Sequence, residues 1–114
     1  MAARGVLRTI EGGRLMFWCP GCDGAHQVQV GTGPGPRWGF DGNYERPTFT
    51  PSILVRGSRA ITDDEHRRIM AGETIKPEPT VCHSFVRDGQ IEFLGDCTHA
   101  LAGRAVPLKP FDEA

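Results

Sequence analysis

Cys19 and Cys22 stand two residues apart around a Pro-Gly pair, and a second cluster, Cys82-His83 with Cys97-Thr98-His99, follows more than sixty residues later. A Cys-x-x-Cys knuckle turns the chain back on itself, so both thiolates can reach one ion at about 2.3 Å. Gly21 eases that turn because it has no side chain to clash. Tetrahedral zinc takes four ligands, and the second cluster offers the remainder. His26, four residues after Cys22, is a further candidate. A redox Cys-x-x-Cys would open a helix in a βαβ setting, and no helical pattern follows Cys22. Burial of four reduced cysteines as small hydrophobes is the other alternative.

These residues must be positioned by short strands. Fifteen glycines and nine prolines are spread between short apolar runs, well above the roughly 12% average usage. That spacing suits strands joined by turns. Residues 5–10 and 14–19 read as a hairpin around Glu11-Gly12-Gly13, residues 26–30 as the next strand, and 53–57 as another. Residues 38–52 read as an edge or a defined loop, because Pro47 and Pro51 fix the chain there. Residues 61–72 carry a capping box, Thr62 with Glu65 three later, and predict one short surface helix.

The clearest element is residues 81–96, a hairpin around Asp88-Gly89. Its register sets Val86 against Ile91, Ser84 against Phe93 and Cys82 against Gly95. Those side chains share a face with Cys97 if the strand runs on, and His83 lies on the other face. Face parity therefore favours a four-cysteine site that includes Cys97, with the histidines as bystanders or as partners of the ligands. The fold expectation is mainly β with an α+β margin. It is a single domain over 1–114, a small antiparallel β-sandwich or half-open barrel with a zinc knuckle, its core at 14–108 and an excursion at 57–80.

The formal net charge is −1 and no basic stripe is present, which disfavours nucleic acid as a partner. No apolar run has the length of a signal peptide or a membrane span. The expectation is a soluble, cytoplasmic protein, in the host cytoplasm if phage-encoded.

The segments FWCPGC, ERPTFTPSILV, CHSFVRDGQIEFLGDCTHALAG and the closing VPL resemble a small uncharacterised family of tailed phages and prophages. Its members are often mislabelled ammonia monooxygenase. The resemblance covers roughly residues 14–108 and is poorest in the excursion. Some relatives resemble proteins encoded beside bacterial ubiquitin-like proteins and their E1- and E2-like enzymes. The resemblance implies a peptidase that trims or removes a ubiquitin-like protein, with that protein as partner. The family pattern often has serine where Cys97 stands. That moves the metal role to His83 and His99, with Cys19, Cys22 and Cys82.

A zinc with an open fourth position lowers the pKa of its water to about 7, and a nearby carboxylate can then act as base. Glu45, in the proline-fixed segment, is the candidate base, and Ser84 the candidate donor to a substrate carbonyl. A serine triad is the lesser reading: His83 neighbours Ser84 on a strand and points away from it, so Asp96 and His99 would have to serve. Trp38 and Tyr44, if exposed, can line a groove for an extended peptide. The expected function is a zinc-dependent hydrolase acting on a protein tail such as a ubiquitin-like C-terminus. The alternative is a non-catalytic phage accessory protein whose structural zinc holds a fold that binds a host or virion protein.

Overall fold

The computed structural model describes residues 2–111. Two antiparallel sheets carry the fold. The first is a meander of β1 (Ala2–Arg4), β2 (Leu7–Ile10), β3 (Arg14–Cys19) and β4 (Gly24–Gln29). The second is ordered β5 (Gly39–Phe40), β6 (Phe49–Ser58), β7 (Pro79–Arg87), β8 (Gln90–Phe93) and β9 (Ala105–Pro107). Neither closes into a barrel, so the sandwich expected from the sequence is the architecture found.

Alternation builds the core. Leu15, Phe17 and Cys19 on β3 are buried, as are Phe49 and Ile53 on β6, Cys82, Ser84 and Val86 on β7, and Ile91 and Phe93 on β8. Side chains at every second position of a strand share one face, so each sheet turns one apolar face inward. The faces meet at Phe17 and Phe49, whose rings stack with centroids 6.2 Å apart. Each large apolar side chain withdrawn from water contributes about 1.5–3 kcal/mol.

The β7–β8 hairpin has the expected register, Val86 against Ile91 and Ser84 against Phe93. Asp88 and Gly89 both have positive φ, 50° and 78°, as a two-residue turn matched to strand twist requires. The single α-helix among the described residues, α1 (Asp63–Met70), starts at the capping box: Glu65 N–H donates to Thr62 Oγ1 at 3.1 Å, and Thr62 N–H to Glu65 Oε1 at 3.2 Å. None of its residues is buried. Among the described residues no helix is long and apolar enough to cross a membrane.

One element differs from the sequence expectation in a way that matters. Residues 49–52, read as loop or edge, begin β6 itself. Phe49 pairs with Val86 and Ile53 with Ser84, so β6 spends four residues where β7 spends two. Pro51 is accommodated because it lies in this register shift, where the ladder is interrupted. Phe49 and Ile53 both keep the core face, and Ser52, immediately before Ile53, takes the outer one.

Candidate active site and metal centre

Cys19 closes β3, Cys22 ends the knuckle, Cys82 lies on β7 and His99 in the turn after β8. Their ligand atoms all lie within 4.8 Å of one another, close enough to hold a metal ion. Cys22 N–H points at Cys19 Sγ at 3.4 Å, the inward turn of the knuckle, and Cys19 Sγ is 3.8 Å from Cys82 Sγ. A Cβ at Gly21 would collide with the His99 imidazole, so only glycine lets that ring lie over the knuckle. His99 Nε2 is buried without a hydrogen-bond partner, an orphaned atom that a metal would satisfy. Leu101 N–H lies 3.2 Å from His99 Nδ1, so ligation through Nε2, which moves the ring proton to Nδ1, requires that contact to open.

The thiols are already divided electrostatically. The Cys82 thiol donates to Cys19 and holds it down at about 4, helped by His26 and by Cys22 N–H. Cys82 is pushed up by the same bond and by burial, and burial beside Cys19 raises Cys22 to about 11. Three thiols and an imidazole within reach of one another form a ligand set typical of structural zinc.

Two residues expected at the metal lie elsewhere. Cys97 Sγ bonds the backbone of His83, accepting from its N–H and donating to its carbonyl, both at 3.2 Å. Face parity fails for Cys97 because β8 ends at Phe93 and the chain turns before residue 97. His83 is on the outer face, as parity requires, and its ring turns away from the cysteine cluster. Its Nε2 is 3.0 Å from Ser52 Oγ, and its Nδ1 is 3.1 Å from Asp96 Oδ2.

Ser52, His83 and Asp96 thus stand in series, hydroxyl to imidazole to carboxylate, the relation by which a serine triad is recognised. Three segments supply them: the β6 register shift, the outer face of β7, and the turn after β8. Leu94 N–H also donates to the His83 carbonyl at 2.9 Å. The backbone of His83 is therefore held from the side on which Asp96 stands. His83 is about one-quarter exposed and Asp96 about half, so the site is open to solvent on the carboxylate side.

Glu45 is exposed in the loop before β6, with its N–H on Asn43 Oδ1. Ser84 faces the interior at 1% exposure, and its hydroxyl has no hydrogen-bond partner. The neighbour relation that made His83 unable to serve Ser84 holds. What the sequence did not reveal is that the pairing of β6 with β7 brings a second serine, Ser52, to the imidazole. His26 packs edge-on against Phe17, with centroids 5.6 Å apart, beside the cysteines.

A family model described as "Bacterial ubiquitination-like system serine protease (BubE)" matches residues 2–94, well over half of the chain. The chain belongs to the BubE family. Ser52 and His83 fall inside the matched span, and Asp96 lies just beyond it. No curated protein and no solved structure matches the chain. BubE membership bears out the link to ubiquitin-like conjugation and makes the protein a protease by family. It also overturns the zinc-dependent hydrolase, because the family is one of serine proteases. With that goes the part assigned to Glu45 as base to a zinc-bound water. The non-catalytic accessory module falls on the same ground.

Proposed function

We propose that this BubE protein cleaves the C-terminal tail of a ubiquitin-like protein with Ser52 as nucleophile, His83 as general base and Asp96 as the group that orients the imidazole. The observation that carries the reading is the 3.0 Å contact from Ser52 Oγ to His83 Nε2. Asp96, accepting from Nδ1–H, fixes the tautomer that leaves Nε2 free to take the serine proton. Oγ then attacks the scissile carbonyl and forms an acyl-enzyme. The imidazolium returns its proton to the leaving amine, and water repeats the cycle to free the tail.

Cys19, Cys22, Cys82 and His99 would hold zinc with all four positions filled by protein, and the ion's contribution would be structural. Cys82 adjoins His83, and His99 is three residues from Asp96. A brace across Cys82 and His99 therefore holds together the two segments that carry base and carboxylate, and ties both to the knuckle of the other sheet.

The test is Ser52→Ala. The variant should keep its circular dichroism and metal content while losing both tail cleavage and labelling by a fluorophosphonate. Retained labelling at another serine would remove Ser52 as nucleophile.

A further inference from the structure

Ser52 stands at the head of an open sheet edge. β5 pairs with β6 only through Gly39 with Thr50 and Phe40 with Phe49. Trp38 Nε1 then donates to the Ser52 carbonyl at 3.3 Å. Beyond that point β7 covers one side of β6, and among the described residues no strand pairs with the other.

The hydrogen bonds of His83 reveal which groups face outward. Its N–H goes to Cys97 Sγ and its carbonyl accepts from Leu94 N–H, both on the side away from β6. Leu54, its partner across β6 and β7, is therefore in a non-hydrogen-bonded pair. The N–H and C=O of Leu54 point away from β7 to the open edge, and those of Arg56 repeat the direction two residues on. The Ser52 carbonyl follows the same parity, since Trp38 reaches it from that side. The Leu54 side chain shares the outer face with Ser52 and His83 and is 45% exposed, one of three large apolar residues so exposed among those described.

Natural proteins shield a long edge with prolines, charges or a covering element. Here the open stretch carries one charge, Arg56, beside an exposed leucine, and runs on directly from a serine hydroxyl bonded to an imidazole. We propose that the β6 edge from Leu54 to Arg56 binds the substrate as an added strand, an extended and unfolded polypeptide tail whose backbone pairs with Leu54 and Arg56 while an apolar side chain rests on Leu54. The proposal rests on the serine-protease reading and deepens it. Strand addition gives affinity through main-chain bonds and selects for a segment with no fold of its own, as a protein tail is and a domain body is not.

The experiment measures binding of a synthetic peptide of the ubiquitin-like protein's C-terminal tail to the Ser52→Ala protein, with single backbone N-methyl groups placed along the peptide in turn. A methyl removes one N–H donor. Binding should weaken by about five- to tenfold at every second residue and remain near the unmodified value between them, because alternate residues of a strand face the edge. Leu54→Asp, made in the same Ser52→Ala background, should weaken binding of the unmodified peptide by a similar factor. Uniform or absent N-methyl effects, or unchanged affinity in Leu54→Asp, would overturn the edge. Failure of labelling in the unmutated enzyme would instead overturn the triad, and the binding measurement stands apart from it.

Discussion

His83 Nε2 lies 3.0 Å from Ser52 Oγ across a separation of thirty-one residues, at the end of the β6 register shift against β7 between Phe49 and Ile53. Ser52 takes the outer face because Ile53, the next residue, takes the core one. His83, diagonally across on β7, meets it there.

The two serines beside His83 should therefore behave oppositely. Ser84 is buried with an unsatisfied hydroxyl, so Ser84→Ala removes a desolvated polar group without breaking a hydrogen bond. Its stability should change by less than about 1 kcal/mol, in either direction, and cleavage should persist. Urea melts and tail-cleavage rates on Ser84→Ala check this. Loss of cleavage with an intact fold would place Ser84 in the chemistry.

Asp96→Asn should lower kcat more than it raises KM, because the carboxylate acts on the base and not on bound substrate. The loss should be smaller than the roughly 10⁴-fold seen where a triad aspartate is buried. Asp96 is half exposed, and water partly replaces a solvated charge. Steady-state kinetics with the tail substrate measure the split.

Metal uptake should release about two protons per ion at pH 7. Cys19 is already a thiolate there, held down at about 4 by the Cys82 thiol. Cys22, raised to about 11, and Cys82, raised as well, still carry theirs. Titration calorimetry of the metal-free protein with zinc, in buffers of different ionisation enthalpy, counts the protons. Gly21→Ala should cut affinity for the ion severely, since the added methyl occupies the space of the His99 ring.

Helix α1 offers a control away from the site. Thr62→Ala removes the cap and should cost the helix about 1 kcal/mol, with cleavage unchanged because α1 buries nothing. The Arg59 guanidinium, on both Glu65 oxygens at 2.6 and 2.8 Å, holds the Glu65 carboxyl down at about 2. Glu65 is thus depressed in the folded state, so its contribution is present above the ordinary glutamate range near 4.3 and lost as pH falls through about 2. Amide exchange across residues 63–70 should show α1 fraying in that acid window before the sheets do.

Much of this was legible locally. Alternation marked β3, β7 and β8. The Asp88-Gly89 turn fixed the hairpin register, and with it the separation of His83 from Ser84. Thr62 with Glu65 marked the helix start, and Cys-Pro-Gly-Cys marked half of the cysteine–histidine cluster. Each of these signals is written within a few residues, where backbone sterics and strand parity decide the outcome. Tertiary structure alone decided which serine meets His83 and which residue completes the cysteine cluster. Ser52 reaches the imidazole through the pairing of β6 with β7, strands far apart in the chain, and alternation within either strand does not say which of their residues meet. His99 takes the place parity gave to Cys97 because the strand stops at Phe93 and the following turn re-aims every side chain after it. Pairing offsets and turn directions are settled by packing the whole sheet, and no single segment contains them.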